Sequence, residues 1–281
     1  MKLAQFKSEF FLQLKHNYSK DEIRNLFFWL TETRLKKTKI ELLRESSLNI
    51  KNENLNSLQK DLKRLKNNEP IQYILGTTEF CDMEFKVNPS VLIPRPETEE
   101  LIEWITEIHQ NNSPHILDIG TGSGCIAIAL AKKNKNAQVT ALDVSEDALK
   151  TAAENAQLNQ TNIKFIQTNI LNMEAFQKPY DLVVSNPPYV VENEKSLMKP
   201  NVLDYEPNLA LFVKDKNPLL FYHKIAQLVA SQNKKCELFF EINEQYGEQL
   251  TEDLKEMGFS AIELKKDFLG KDRMMRAIFK I

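Results

Sequence analysis

The fold is decided by residues 115–131, which read His-Ile-Leu-Asp-Ile-Gly-Thr-Gly-Ser-Gly-Cys-Ile-Ala-Ile-Ala-Leu-Ala. The chain holds 7 glycines in 281 residues, and three of them, Gly120, Gly122 and Gly124, fall within this stretch. An apolar run precedes these glycines and a longer one follows them, so the order is strand, glycine loop, helix. Glycine is needed where the backbone turns tightly and a ligand approaches it closely. The stretch therefore predicts a nucleotide-type binding loop.

Asp143 supports a nucleoside ligand. It follows the β-rich run 138–142, about twenty residues beyond the loop, where an acidic side chain can bind both ribose hydroxyls. Residues 122–127 also fit the G-x-G-x-x-A fingerprint of dinucleotide sites, so NAD is the alternative ligand. Asp118, placed before strictly alternating glycines, instead resembles the S-adenosylmethionine (SAM) loop of class I methyltransferases, where a carboxylate suits the ammonium group of the ligand. We predict SAM.

A second motif, Asn186-Pro187-Pro188-Tyr189, follows the apolar run 180–185. It resembles the acceptor motif of methyltransferases that alkylate a planar, conjugated nitrogen. Such a nitrogen is a poor nucleophile and must be held by its N–H groups. The side-chain carbonyl of Asn186 can accept one N–H and the main-chain carbonyl of Pro187 the other, while Tyr189 lies against the flat face of the substrate group. The alternative is a Pro-Pro turn that ends a strand, with a structural tyrosine.

Strands and helices alternate from residue 101 to the end of the chain. The predicted strands cover residues 115–117, 138–142, 163–167, a run ending at 186, 237–242, 260–266 and 273–280, and the predicted helices cover 101–109, 145–158, 217–232 and 245–257. This alternation predicts an α/β fold with a doubly wound, mostly parallel, seven-stranded sheet, Rossmann-like and of the class I methyltransferase type. Ligands bind at the carboxyl ends of the strands in such sheets, and both motifs lie there.

The beginning of the chain has a different character. Leu3, Phe6, Phe10 and Leu14 recur at helical spacing, and Ser19 with Glu22 predicts a capping box at the start of a second helix. Residues 1–75 carry 15 Lys+Arg against 9 Asp+Glu, or +6, which leaves 22 against 30, or −8, for residues 76–281. We predict a small helical bundle over 1–75, a β-hairpin linker over 76–92 and the methyltransferase domain over 93–281. The basic bundle can recognise an acidic protein partner or RNA, or can be a solvated surface.

Composition limits the remaining possibilities. No run of about eighteen apolar residues occurs, and charge interrupts the first residues of the chain, so we expect neither a membrane span nor a signal peptide. Cys81, Cys125 and Cys236 are odd in number and widely spaced, which predicts reduced thiols in a cytoplasmic protein and no metal site. Cys125 opens a helix beside the loop, where an activated thiol is one interpretation and a small core residue the favoured one.

Five segments together resemble one family. They are Pro70–Gly76, the Ile-Pro-Arg-Pro-Glu-Thr-Glu run at 93–99, the Asp118–Gly124 loop, Ser185–Tyr189, and Tyr205-Glu206-Pro207. Their order and spacing are similar to those of the peptide chain release factor glutamine methyltransferases, the PrmC/HemK family, over roughly residues 70–280. The resemblance implies N5-methylation of the glutamine in the Gly-Gly-Gln motif of class 1 release factors, with SAM as donor and S-adenosyl-L-homocysteine as product. We expect a monomer.

The resemblance also implies site residues. The residues expected to bind SAM are Gly120, Thr121, Gly122, Ser123, Gly124, Asp143, Asn169, Ile170 and Asn186; those expected to bind the glutamine amide are Asn186, Pro187, Pro188 and Tyr189, with Asn186, Pro187 and Tyr189 as the catalytic set. Relatives often carry an acidic residue near adenine where this chain has Asn169-Ile170. Arg95 and Glu97 are expected to shape the site or to serve packing, with Thr98 as a helix cap. Arg273 is expected to pair with an acidic residue.

Two other functions fit parts of the sequence. An adenine-N6 DNA or RNA methyltransferase also uses Asn-Pro-Pro-Tyr, but a methyltransferase part with a net charge of −8 is unfavourable for binding phosphates, so nucleic acid is not the expected substrate. A non-catalytic binding module of the same fold is the second alternative, and the intact loop, Asp143 and Asn186 argue against it.

Overall fold

The computed structural model describes residues 1–45, 47–109, 114–214 and 216–280. The chain forms two compact units. The first comprises Met1–Gly76 with Lys199–Tyr205, and the second comprises Thr77–Met198 with Glu206–Ile281. The predicted hairpin linker thus belongs to the second unit, and a short segment from the predicted methyltransferase range belongs to the first. The functional division of the chain at residues 75 and 92 stays a prediction.

The first unit is helical. Its helices before residue 77 are α1 (Leu3–Leu14), α2 (Lys20–Leu35), α3 (Lys39–Arg44), α4 (Asn52–Lys66) and α5 (Ile71–Leu75). The four apolar residues predicted at helical spacing in α1 are all buried, and the rings of Phe10 and Phe27 meet edge to face with centroids 5.5 Å apart. The capping box is confirmed, since Ser19 Oγ accepts the Glu22 N–H and the Glu22 carboxylate accepts the Ser19 N–H. Tyr205 belongs to this unit, and its hydroxyl donates to the carbonyl of Asn67 at 2.8 Å.

The second unit begins with the predicted hairpin and continues as alternating strands and helices. Its strands are β1 (Thr77–Phe80), β2 (Met83–Lys86), β3 (His115–Ile119), β4 (Gln138–Asp143), β5 (Ile163–Gln167), β6 (Leu182–Ser185), β7 (Val190–Val191), β8 (Phe212–Val213), β9 (Cys236–Glu241), β10 (Phe259–Lys266) and β11 (Asp272–Phe279). The remaining helices are α6 (Pro96–Ile108), α7 (Cys125–Lys133), α8 (Glu146–Leu158), α9 (Pro200–Leu203, in the first unit), α10 (Asn208–Leu211), α11 (Leu220–Ser231) and α12 (Gly247–Glu256).

The main sheet confirms the predicted fold class. It has 7 strands in the order β10-β11-β9-β6-β3-β4-β5. The pairs β9-β6, β6-β3, β3-β4 and β4-β5 are parallel, and β11 runs antiparallel to both of its neighbours. Central strands are buried on both faces, which explains why their sequences are nearly continuous apolar runs. From β3 the strand order runs to one side through β4 and β5, and then continues on the other side of β3 with β6. A ligand crevice is expected at such a switch point, beyond the carboxyl ends of β3 and β6.

Candidate active site at the carboxyl ends of the strands

A cavity of about 350 Å³ opens at the carboxyl ends of β3, β4 and β6, in the second unit. Its size lies in the range of small-molecule sites. Most of the predicted site residues line it: Gly120, Thr121, Gly122, Ser123, Asp143, Asn169, Ile170, Asn186, Pro187 and Pro188. Gly124 and Tyr189 are not among the lining residues. The two motifs, far apart in the sequence, thus share one cavity because β3 and β6 are adjacent and parallel.

The glycine loop is shaped for close approach of a ligand. Gly120 and Gly122 have φ of +73° and +54°, and a Cβ added at either would meet no atom within 4 Å, so side chains there would project into open space. Gly124 serves another purpose. It has φ of +82°, and a Cβ there would lie 3.0 Å from Ile128 Cδ1 and 3.1 Å from Ala152 Cβ. Its role is to allow the close packing of α7 against α8.

Asp143 joins the loop to the end of β4. Its Oδ2 accepts the Gly122 N–H at 2.9 Å, and its Oδ1 accepts the Ser145 N–H at 2.9 Å. A carboxylate has about four lone-pair sites, so these two bonds leave one acceptor position on each oxygen. The side chain is only partly buried and lines the cavity. Asp143 is therefore held in place by the protein while keeping both oxygens available to a pair of hydroxyl donors.

Asp118 is buried beside the glycine loop. Its side chain is fully buried, it does not line the cavity, and its Oδ2 accepts the Thr121 hydroxyl at 2.6 Å. Burial raises the pKa of this carboxyl from 3.8 to about 7, against the opposing effect of the Thr121 hydrogen bond. The expected contact with a ligand ammonium group stays a prediction. Its bond to Thr121 supports the glycine loop.

The raised pKa of Asp118 predicts a pH-dependent stability. The folded protein holds a proton that the unfolded chain releases above pH 3.8, so this contribution to stability is lost as the pH rises to about 7. The variant Asp118→Asn cannot ionise and still accepts from Thr121. We expect its melting temperature, relative to that of the parent protein, to be higher at about pH 8 than at about pH 5, measured by thermal unfolding. An equal difference in melting temperature at the two pH values would show that the Asp118 carboxyl of the folded protein is already ionised at pH 5.

The acceptor motif begins where β6 ends. Ser185 is fully buried, and its hydroxyl donates to the carbonyl of Ile119 at 2.7 Å, which ties the end of β6 to the end of β3. Asn186 comes next and is partly buried at the cavity. The main-chain carbonyl of Tyr189 accepts from Asn243 Nδ2 at 3.3 Å. Both ends of the tetrapeptide are therefore anchored, which holds Asn186 and Pro187 at the cavity wall.

Tyr189 forms a hydrogen bond with Glu241, a carboxylate that was not among the predicted site residues. Its hydroxyl donates to Glu241 Oε1 at 3.2 Å, and the Thr98 hydroxyl donates to Glu241 Oε2 at 2.6 Å. Glu241 is only 2% exposed, and burial raises its pKa. One signal could have found it: a carboxylate at the carboxyl end of an otherwise apolar strand, beside the strand that bears Asn186. Glu241 is thus a positioning residue for the tyrosine ring.

The Tyr189 hydroxyl therefore contributes to stability in addition to the expected role of the ring. Tyr189→Phe removes a donor from a buried carboxylate, and we expect it to lower the free energy of unfolding by about 1–3 kcal/mol. The measurement is denaturant unfolding. Tyr205→Phe is the matched control, because its hydroxyl bonds at an exposed position, and it should change stability by about 0.5 kcal/mol or less. Equal effects of the two variants would contradict the proposed support by Glu241.

The segment before α6 contributes a second wall of the cavity. Arg95 lines it and pairs with Glu206, Nη2 to Oε1 at 2.6 Å, and the Glu206 side chain is 1% exposed. Glu97 is not among the lining residues. The expected helix cap at Thr98 is wrong, since α6 already begins at Pro96 and the Thr98 hydroxyl bonds to Glu241. Pairing of Arg273 with an acidic residue is confirmed, with Nε 3.2 Å from Asp267 Oδ2.

Asn169 and Ile170 lie at the cavity edge after β5. Asn169 Oδ1 accepts the Leu171 N–H at 3.0 Å, which caps a short 3₁₀ turn over Ile170–Asn172. Ile170 is 7% exposed and presents an apolar surface to the cavity. The amide oxygen keeps one lone pair, so Asn169 can accept a second N–H. The roles assigned to both residues stay predictions.

Cys125 also lines the cavity, at the start of α7. Burial raises the pKa of its thiol to about 12, so it stays protonated at neutral pH and has none of the activation of a nucleophile. Cys81, Cys125 and Cys236 are all free thiols. Within the described ranges, no cluster of three or more His, Cys, Asp or Glu side chains is placed to hold a metal ion. No helix of the described chain is long and apolar enough to cross a membrane.

Comparisons with known proteins agree with this architecture. Residues 98–203 match the family model "Methyltransferase small domain", and residues 8–76 match "PrmC N-terminal domain". A release factor glutamine methyltransferase of Flavobacterium psychrophilum is 44% identical, with 100% of both chains covered. One of Bacteroides thetaiotaomicron is 45% identical, over 78% of this chain and 80% of its own. The crystal structure of a methyltransferase from Pyrococcus furiosus shares the fold, with a TM-score of 0.52 and 19% identity over 79% of this chain and 100% of its own.

A doubly wound sheet, a glycine loop at the end of β3 and Asn-Pro-Pro-Tyr at the end of β6 define a class I methyltransferase. The full-length identity of 44% narrows the class further. The chain belongs to the release factor glutamine methyltransferase family.

Proposed function

We propose that this protein transfers the methyl group of SAM to the side-chain amide nitrogen, N5, of the glutamine in the Gly-Gly-Gln motif of class 1 peptide chain release factors. The observation that carries the proposal is the placement of Asn186 and Pro187 in the same cavity as the glycine loop and Asp143. The same cavity then contains a site for the methyl donor and hydrogen-bond acceptors for a planar amide. The curated relatives named release factor glutamine methyltransferase support this acceptor.

The residues present fit SAM. The open space above Gly120 and Gly122 leaves the loop backbone accessible to the ligand, and Asp143 keeps free acceptor positions for two ribose hydroxyls. Ile170 offers an apolar surface for the adenine, and Asn169 an acceptor for its amino group. When bound, SAM supplies an electrophilic methyl group on a sulfonium. The protein's own contribution is to hold the cofactor and the acceptor in one orientation.

The acceptor side works by hydrogen bonding and position. The Asn186 side-chain carbonyl and the Pro187 main-chain carbonyl accept the two N–H groups of the glutamine amide, which aims its nitrogen into the cavity. Their bonds strengthen as positive charge develops on that nitrogen. The bond between the methyl group and the SAM sulfur would break as the new N–C bond forms, leaving S-adenosyl-L-homocysteine, and the proton released from the nitrogen would pass to water. Positioning of this kind can contribute about 7–11 kcal/mol to lowering a barrier. Glu241 and Thr98 hold the Tyr189 ring that supports the amide.

The first unit is proposed to recognise the release factor. Residues 1–75 carry 15 basic against 9 acidic residues, and Lys20, Arg24, Lys60 and Lys63 are all exposed. Changing these four to glutamate should raise KM for the release factor about tenfold, because the +6 charge becomes −2, while SAM affinity stays the same. The matched control changes the same four residues to glutamine and should raise KM by a smaller factor. An unchanged KM in both the glutamate and the glutamine variant would mean that the basic charge serves solubility and not recognition.

We further propose a monomeric, cytoplasmic enzyme that needs no metal. The test of the function is transfer of labelled methyl from SAM to a purified release factor. The same factor with its Gly-Gly-Gln glutamine changed to alanine should accept no label, and double-stranded DNA should accept none. Label on DNA, or on the alanine variant of the factor, would exclude the proposed acceptor.

A further inference from the structure

Most of the exposed large apolar side chains in the described part of the second unit lie at one edge of the sheet. In the part of the chain that the structure describes, the exposed large hydrophobic residues of this unit are Val144, Leu158, Leu209, Phe268 and Leu269. Val144 and Leu209 line the cavity, which a bound cofactor and acceptor would cover. Leu158 ends α8 and lies at the opposite edge, because α8 runs from the carboxyl end of β4 to the amino end of β5. Neither explanation applies to the exposed side chains of Phe268 and Leu269.

Phe268 and Leu269 lie in the turn between β10 and β11 and are 64% and 62% exposed. Because β11 runs antiparallel to β9, this turn lies at the carboxyl end of β9, the edge of the sheet that carries the acceptor motif. Large apolar side chains exposed as a pair beside a ligand site are a feature of protein interaction surfaces. The turn thus presents apolar surface to solvent next to the cavity.

The turn is rigid, so its exposed side chains are not the result of a loose backbone. The buried carboxylate of Asp267 accepts the N–H groups of Leu269 and Lys271 at 2.9 and 3.0 Å. The Asp267 N–H in turn donates to the Lys271 carbonyl at 2.9 Å, and Gly270 takes the positive φ of +81° that the turn requires. Five hydrogen-bonding groups of one short segment are therefore satisfied internally.

Two bonds tie the turn to the acceptor site. The Phe268 N–H donates to Glu100 Oε1 at 3.0 Å, and Glu100 lies on α6 only two residues, about 3 Å along the helix axis, beyond Thr98 of the cavity wall. Arg273 bonds to Asp267 and also donates to the Ile242 carbonyl, next to Glu241. These bonds connect the turn to α6, which carries Thr98, and to the carboxyl end of β9, which carries Glu241.

The charges around the turn favour an apolar protein surface as its partner. Lys266 pairs with Asp272 at 3.0 Å, and Lys271 pairs with Glu244 at 3.0 Å. Both lysines thus have carboxylate partners, and residues 76–281 carry 22 basic against 30 acidic residues. A phosphate backbone would meet little attraction at this surface. An apolar patch on the acceptor protein, beside its target glutamine, would meet two matching side chains.

We propose that Phe268 and Leu269 form a docking surface for the acceptor protein, contacting an apolar patch of the release factor that flanks its Gly-Gly-Gln glutamine. The proposal rests on the function proposed above. The turn binds the body of the protein substrate, while Asn186 and Pro187 hold the glutamine amide.

The test uses the full chain and the purified release factor. The double variant F268A/L269A should raise KM for the release factor at least tenfold, with kcat and SAM affinity within twofold of the parent protein. Phe268→Met with Leu269→Met keeps the apolar surface and should restore most of the affinity. L158A removes another exposed leucine, 43% exposed, at the opposite edge of the sheet and should leave the kinetics unchanged.

Four results would overturn the docking surface. The first is an unchanged KM in an active F268A/L269A variant, and the second is a fall in kcat with constant KM, which would mean a disturbed Arg273 and Glu241. The third is a parent protein that sediments as a dimer and a double variant that sediments as a monomer, because a second copy would then be the partner. The fourth is a parent protein that does not methylate the release factor, and this result alone would overturn the proposed function as well.

Discussion

Replacing Asn186 with alanine is expected to lower kcat for release factor methylation by about 100-fold or more. The side-chain carbonyl of Asn186 lies at the cavity wall, and its bond to the acceptor amide should strengthen as charge develops on the nitrogen. An interaction that is stronger in the transition state than in the bound substrate acts mainly on kcat. SAM affinity should stay close to that of the parent protein, because the glycine loop and Asp143 supply most of the proposed donor contacts.

The measurement is steady-state transfer of labelled methyl to the release factor, with SAM affinity from calorimetric titration. Asn136→Ala is a matched control, since Asn136 is exposed just before β4, at the opposite edge of the sheet from the cavity. It should leave both quantities unchanged. Near-normal turnover by a folded Asn186→Ala variant would show that the acceptor binds elsewhere, whatever the state of the SAM loop.

The second large effect is expected from Asp143→Ala. We expect SAM binding to weaken by about 1.5–3 kcal/mol, the typical contribution of hydrogen bonds to a charged group, or roughly 10- to 150-fold in affinity. The structure adds a reason beyond the ribose contacts. Asp143 also accepts the Gly122 N–H, so its removal loosens the loop that faces the ligand. The effect should therefore lie toward the upper end of this range.

Calorimetric titration with SAM measures the loss, and thermal unfolding shows whether the variant stays folded. Glu154→Ala is the matched control, because Glu154 is an exposed carboxylate on α8 whose surface pair with Lys86 contributes little. Its SAM affinity should equal that of the parent protein. Unchanged affinity in a folded Asp143→Ala variant would remove Asp143 from the proposed cofactor site.

Sequence patterns predicted the fold class because they depend on neighbours along the chain. Alternating apolar runs, the glycine loop and the Ser19–Glu22 capping box each occupy a few consecutive residues, and the sheet, the loop and the box are all found in the structure. The same reasoning placed both motifs at the carboxyl ends of strands. Since parallel strands end at one edge of a sheet, it also anticipated that the two motifs would meet.

The N-terminal part was predicted less completely. Two short helices, α3 and α5, are too brief to show a periodic pattern, and the segment Lys199–Tyr205 joins the first unit from a distant part of the chain. Helices of one or two turns depend on tertiary packing for their stability, so local propensity gives little signal for them. Contacts between segments far apart in sequence leave no periodicity at all.

The sequence by itself was enough to predict the class of fold, the glycine loop, the place of Asp143 at the end of a strand and the acceptor motif. Each of these depends on neighbouring residues and on backbone geometry. Only the tertiary structure decided how the side chains are used. It buried Asp118 beside the loop instead of exposing it to the cavity, and it placed Glu241 between Thr98 and Tyr189. These features depend on which side chains meet across strands and helices, and therefore on burial and hydrogen-bond partners that no local pattern encodes.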